Sequence, residues 1–86
     1  IMRIYMQTPH IPEQPLRFYH LHLQQDLLGG WTLVRESGLQ GKRGAVKQAH
    51  FDNREDAERA LSKFRDAQLK RGYRIVFSKG AIQEEA

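Results

Sequence analysis

Apolar and polar residues alternate along several short stretches of the chain, and such alternation is typical of β-strands that bury one face. It predicts strands over residues 16–23, 31–35, 45–51 and 73–77, and a weaker one over residues 1–7. Side chains two positions apart share a face of a strand. Leu21 and Leu23 should therefore share one face of the first of these strands. Ile75 and Phe77 should likewise share a face of the last strand, together with Tyr73.

A helical period replaces this alternation before the last strand. Apolar residues recur there at three- and four-residue spacing, with Leu61 and Phe64 as the large members of the stripe. The helix is predicted to run from about Asp52 to Arg71. Asp52 is the expected N-cap, and Gly72 marks the expected stop.

The order strand, strand, strand, helix, strand, with short connections, predicts an α+β fold. The expected architecture is a twisted antiparallel sheet of four to five strands with one long amphipathic helix packed on one face. The expected core consists of Phe18 or Tyr19 together with Trp31, Leu33, Leu61, Phe64, Ile75 and Phe77.

A chain of 86 residues has room for one domain. All three prolines fall within residues 8–15, so residues 1–15 are interpreted as an N-terminal strand or an extended proline-rich lead-in. Residues 16–77 are interpreted as the folded domain. Residues 78–86 are predicted to form a disordered acidic tail.

Composition narrows the classes of function. Fourteen Lys and Arg against ten Asp and Glu give a formal net charge of +4, a mild bias toward anionic partners. The absence of cysteine excludes disulfides and thiolate metal sites. No apolar run approaches the roughly 20 residues of a membrane-spanning helix. We expect a monomeric cytoplasmic protein that makes no membrane contact.

The segment over residues 35–47 concentrates the candidate chemistry. It interleaves three glycines with four cations, namely Gly38, Gly41, Gly44, Arg35, Lys42, Arg43 and Lys47. Glycines give the backbone access to positive φ and to close approach, and the cations attract phosphates. Arg71 and Arg74 would extend this patch if the last strand lies near it. Such contacts supply affinity without sequence readout, which predicts weak, sequence-independent binding of DNA or of DNA ends.

A larger set of residues has the order and spacing of a known module. It comprises Phe18-Tyr19, Leu21, Leu23, Trp31–Arg35, Gly38, Gly41, Gly44, Phe51, Ala57, Phe64 and Lys70-Arg71-Gly72-Tyr73. In these positions the chain resembles a WGR domain, a small module found in poly(ADP-ribose) polymerases and in several bacterial proteins. The resemblance covers about residues 16–77 and implies a role in contacting DNA ends.

The chain departs from this family at its defining triplet. Ser37-Gly38-Leu39 stands where the family has Trp-Gly-Arg, and Ala45 stands where a glutamine usually follows the last glycine. A serine cannot stack on a nucleotide, and a leucine cannot bind phosphate in a bidentate manner. The resemblance therefore carries over the glycine skeleton and the neighbouring positive charge, but not the signature tryptophan and arginine.

Other classes of function have weaker support. A protein-interaction or accessory module that has lost DNA binding is the alternative. His20, His22 and His50 resemble a zinc ligand set, but no carboxylate is spaced to orient them, so no metal is expected. No nucleophile elbow and no isolated pair of carboxylates is present. We therefore expect no enzyme, no cofactor and no small-molecule substrate.

Overall fold

The structure is a computed structural model and describes residues 2–80. In chain order its elements are β1 (Met2–Gln7), β2 (Arg17–Gln25), β3 (Trp31–Leu39), β4 (Ala45–Phe51), α1 (Arg54–Lys70) and β5 (Arg74–Lys79). The strands form one sheet in the order β4-β3-β2-β1-β5, and every neighbouring pair is antiparallel. The α+β class with an antiparallel sheet is thus confirmed, and the sheet has five strands.

The first strand lies inside the sheet, between β2 and β5. Its residues Met2, Ile4 and Met6 are buried. Methionine has little preference for strands, which explains why the alternation over this segment is a weak signal. Residues 1–15 were expected to form either a strand or an extended lead-in. The structure has a strand at Met2–Gln7, and the prolines lie in the connection that follows it.

The fold extends beyond both limits that the sequence suggested for the domain. β1 precedes residue 16, and β5 continues past residue 77 through Ser78 to Lys79. These two residues were predicted to belong to a disordered tail, but they pair with β1. Residues 81–86 of that predicted tail lie outside the described residues.

One face of the sheet carries the core. Cross-strand partners share a face, and Leu21 pairs with Ile4, while Leu23 pairs with Met2 and Leu33. The buried cluster consists of Met2, Ile4, Met6, Tyr19, Leu21, Leu23, Leu33, Ala57, Leu61 and Tyr73. Since Ala57 and Leu61 belong to α1, the helix lies over this side of the sheet. We call it the covered face and the other side the open face.

Most of the predicted core residues contribute to packing. Leu33 and Leu61 are fully buried, and both Phe18 and Tyr19 are buried as well. Trp31 and Phe64, which were also predicted, are partly buried and pack against the cluster.

The prediction that Ile75 and Phe77 belong to the core is wrong. Their side chains are 45% and 49% exposed. Phe77 pairs with Tyr5 and Ile75 pairs with Met6, so the register shifts by one residue at Val76. This bulge places Ile75 and Phe77 on opposite faces of the sheet. β5 is also an edge strand, which leaves its apolar residues accessible.

Local bonds fix both ends of α1. The Asn53 side chain accepts a hydrogen bond of 2.9 Å from the Asp56 backbone N–H, so Asn53 is the N-cap rather than Asp52. At the other end, the Tyr73 N–H donates to the Gln68 carbonyl at 3.0 Å. The Gly72 N–H donates to the Leu69 carbonyl at 3.1 Å. This is a Schellman motif, and it confirms the predicted stop at Gly72.

Asp26 organises the turn between β2 and β3. Its Oδ1 accepts hydrogen bonds of 2.9 Å from the backbone N–H groups of Leu28 and Gly30. Its Oδ2 lies 2.9 Å from Nδ1 of His50, on β4. These contacts favour the charged carboxylate. The hydrogen bond from Gly30 is the main cause of a lowered pKa at Asp26.

Replacing Asp26 by Asn should lower the free energy of unfolding at neutral pH. A carboxyl whose pKa is lowered by folding stabilises the folded state at pH values above the pKa of the unfolded chain, here 3.8. This contribution is lost as the pH falls through the pKa of the folded state. We expect the stability difference between wild type and variant to shrink below about pH 4. Urea unfolding between pH 7 and pH 2.5 measures it, with the exposed Glu13→Gln as a control. An undiminished difference at pH 2.5 would contradict this role of Asp26.

Candidate nucleic-acid interface

The antiparallel order brings several chain segments to one end of the molecule. β1 and β3 finish there, β2, β4 and β5 begin there, and α1 ends there. The cations at this end are Arg17, Lys42, Arg43, Lys70, Arg71 and Arg74. Glu13 is the one acidic residue among residues 8–17, 39–45 and 70–74. We call this region the basic end.

The predicted glycine-rich loop is shorter than the sequence suggested. β3 continues to Leu39 and β4 begins at Ala45, so only residues 40–44 form the turn. Lys42 and Arg43 lie in this turn and are exposed. Arg35 and Lys47, by contrast, lie within the two strands.

Arg35 and Lys47 are direct cross-strand partners on the covered face. Like charges in this position repel each other. The guanidinium carbon of Arg35 lies 4.0 Å from the centroid of the Phe64 ring, a cation–π contact that holds the charge beside α1. Within residues 2–80 neither cation forms an ion pair with a carboxylate. Glu36 faces the open side, opposite His20.

Gln40 ties the turn to the sheet. Its Oε1 accepts hydrogen bonds from the Tyr5 hydroxyl at 2.9 Å and from Nε2 of Gln7 at 3.2 Å. Its backbone N–H donates to the Leu16 carbonyl at 2.8 Å. The turn is thereby anchored to both β1 and the start of β2, so Lys42 extends from a fixed base.

The glycine repeat serves this hairpin in two ways. Gly41 has φ +83°, a conformation that favours glycine in the turn. A Cβ on Gly44 would lie 2.6 Å from the Ser37 carbonyl oxygen and 2.9 Å from Cζ of Phe18. A Cβ on Gly38 would lie 3.0 Å from the Gly44 Cα. The outer glycines therefore admit the Phe18 ring and the neighbouring strand rather than another molecule.

Arg17 and Arg71 line a cavity of about 520 Å³ at the basic end, beside the proline-containing connection. Nη1 of Arg71 donates to Oε1 of Gln68 at 3.1 Å, which orients the guanidinium. Neither arginine forms an ion pair within the described part of the chain. Sequence reasoning missed Arg17 and Lys70 as site residues. The signal was available, because antiparallel pairing places the start of β2 beside the end of β3.

Arg71 and Arg74 lie at the same end of the molecule as Lys42 and Arg43 but near the opposite edge of the sheet. Arg71 is the C-cap of α1, and Arg74 begins β5 opposite Gln7. Three to four strand spacings separate the β3–β4 turn from β5, or roughly 14–19 Å. The cations thus form a row along one edge of the molecule rather than one cluster.

The three histidines are divided between two places. The rings of His20 and His22 are parallel on the open face, with centroids 6.3 Å apart. His50 contacts Asp26 near the opposite end. Across residues 2–80, no three His, Asp or Glu side chains are grouped to hold a metal ion. Over the same residues no helix has the length and apolarity needed to cross a membrane.

Comparison with known proteins gives two matches. Residues 2–79 match the family described as WGR domain, a range that includes both β1 and β5. The chain is also similar to the uncharacterized protein y4dW of Sinorhizobium fredii, with 31% identity over 72 residues. The aligned region is 84% of this chain and 35% of y4dW, so this chain spans about a third of the length of that relative.

The two kinds of glycine predict different costs of substitution. Gly44→Ala should destabilise the fold by about 1–3 kcal/mol, because the new methyl group meets backbone and the Phe18 ring. Gly41→Ala should cost about 1 kcal/mol from backbone strain alone, since no atom lies within 4 Å of the added Cβ. Urea unfolding of the two variants compares them. A larger loss at Gly41 than at Gly44 would contradict this assignment.

Proposed function

The chain belongs to the WGR domain family, and on this basis we propose that it is a non-catalytic module that binds DNA through its basic end. WGR domains are modules of the nucleic-acid-binding type rather than enzymes. One observation carries the proposal: cations from three separate segments of the chain lie in a row at one end, and Glu13 is the one acidic residue among residues 8–17, 39–45 and 70–74.

The chemistry of this end favours contact with phosphates. Lys42 and Arg43 project from an exposed turn, and Arg17 and Arg71 line a cavity. Such side chains neutralise phosphates and release counterions, whatever the base sequence. The binding is therefore weak and independent of sequence, and DNA ends are the preferred form by family resemblance.

The altered signature favours modest affinity. Ser37 and Leu39 occupy the positions of the family's tryptophan and arginine, so stacking and bidentate contacts from these positions are lost. Arg17 is the cross-strand partner of Leu39. Its guanidinium compensates for part of the lost charge, from the neighbouring strand rather than from β3.

A protein-interaction role is the second candidate. Leu27 and Leu28, at the tip of the β2–β3 turn, are 102% and 94% exposed. These two adjacent leucines form a small exposed apolar patch, which favours contact with another protein. They lie at the opposite end from the cations, so this role and DNA binding use different surfaces.

Charge reversal at the β3–β4 turn tests the proposal. Lys42→Glu combined with Arg43→Glu should abolish binding to a labelled blunt-ended duplex in fluorescence anisotropy at low salt. The melting temperature should stay nearly unchanged, because both side chains are exposed and form no ion pair within residues 2–80.

Arg59→Glu combined with Lys63→Glu is the matched control. It changes the net charge by the same amount on the exposed side of α1. Because it also removes the ion pair between Arg59 and Asp56, its melting temperature is measured alongside. This control should retain most of the binding. Equal loss in both double variants would mean that net charge alone attracts DNA. Absence of wild-type binding, with a folded sample, would favour the protein-interaction role.

Salt dependence gives an independent check on the number of phosphate contacts. Four to six contacts predict a slope of about −4 to −5 in a plot of log affinity against log salt concentration. Anisotropy titrations between 20 and 200 mM salt measure this slope. A slope near zero would contradict phosphate contact as the source of affinity.

A further inference from the structure

The open face of the sheet carries aromatic rings in a row across three strands. Phe77 pairs with Tyr5, and Tyr5 pairs with His20. The Tyr5 and His20 rings meet edge to face with centroids 5.8 Å apart. Tyr5 also stacks on Phe18 at 6.2 Å. The helix lies on the other side of the sheet. Phe77 is half exposed and His20 is partly exposed, whereas Phe18 is buried against the β3–β4 hairpin.

The rings of Phe77, His20 and His22 are accessible and uncharged near neutral pH. Phe77 is 49% exposed, and His20 and His22 are partly exposed. Burial against the sheet, followed by the nearby charge of Arg3, lowers the pKa of both histidines. The negative charge of Glu36 raises the pKa of His20, but this effect is smaller than the other two. Both imidazoles therefore present flat neutral surfaces at pH 7.5.

Cations lie on both sides of the aromatic row. Arg3 and Lys79 pair with each other two residues along their strands from Tyr5 and Phe77. In the other direction along the strands, Arg74 pairs with Gln7. Two strand residues span about 6.6–6.8 Å, which is close to the spacing of phosphates in an extended single strand. Glu36 is the one acidic residue that the five strands place on this face. The face thus complements a chain that combines flat rings with negative charges.

We propose that the open face binds single-stranded nucleic acid, with bases stacked on Phe77 and the histidine rings and with phosphates beside Arg3 and Lys79. Bases inside a duplex are stacked on both faces, so several bases in succession can lie on this row only when the strand is single. Stacking on aromatic rings tolerates any base. Three strands span about 10 Å, room for two or three nucleotides. The site lies on the open face, away from Lys42 and Arg43, and it shares Arg74 with the basic end.

Phe77 offers the sharpest test, because it lies outside the core. The probe is a labelled 12-nucleotide oligothymidylate at pH 7.5 and 0.1 M salt, where long-range attraction is screened beyond about 10 Å. Phe77→Ala should weaken binding about fivefold or more, as expected for a lost stacking contact. Phe77→Tyr, which keeps a flat ring, should bind within twofold of wild type.

Two further variants keep the outcome interpretable. Phe77→Leu keeps an apolar side chain on the edge strand but lacks the ring, so it should lose affinity as Phe77→Ala does, even if Phe77→Ala folds poorly. Lys42→Glu combined with Arg43→Glu should keep most of the oligothymidylate binding, whether or not it loses duplex binding. The ring resonances of His20 and His22 should shift in NMR spectra on addition of the oligonucleotide.

Three results would overturn the proposal. The first is no binding of oligothymidylate by the wild-type protein at millimolar concentration. The second is unchanged affinity in both Phe77→Ala and Phe77→Leu. The third is complete loss of single-strand binding in the Lys42 and Arg43 double variant, which would assign both kinds of nucleic acid to the basic end.

Discussion

Burial of one face of the sheet beneath α1 is the constraint on which the rest of the structure depends. Leu21, Leu23, Leu33 and Leu61 are fully buried in that layer. A slip of one residue in β1 or β2 would turn the apolar set of that strand toward solvent, so this layer fixes the register at the centre of the sheet. The fixed register then decides which cations meet at the basic end and which side chains align in rows on the open face.

Much of the architecture could be predicted from the sequence, because helical and strand periods are local signals. The helix stop at Gly72 and the apolar stripe with Leu61 are examples. β1 could not be placed in the sheet, since its methionines give a weak signal and its pairing with β5 joins distant parts of the chain. The bulge at Val76 was also missed, because a register shift depends on the partner strand and not on the sequence of β5.

The candidate site also combines features that are visible in the sequence with features that depend on strand pairing. Lys42, Arg43 and the glycine repeat are visible in the sequence as one cluster. The position of Arg17 at the same end follows from the antiparallel pairing of β2 with β3, whereas the pairing of Arg35 with Lys47 depends on the exact register of β3 and β4. The glycines are accounted for by the turn and by the Phe18 ring, so their presence supports the hairpin and not a direct role in binding. The cations around the hairpin are therefore the groups that are available for contact with a partner.

NMR mapping of the surface that contacts DNA tests this account most directly. A short blunt-ended duplex is added to isotope-labelled protein at low salt, and backbone and side-chain resonances are followed. The account predicts the largest shifts over residues 40–44 and 70–74 and at Arg17, with little change at Leu27 and Leu28. Shifts centred on the leucine turn, or no shifts anywhere in a folded sample, would contradict it.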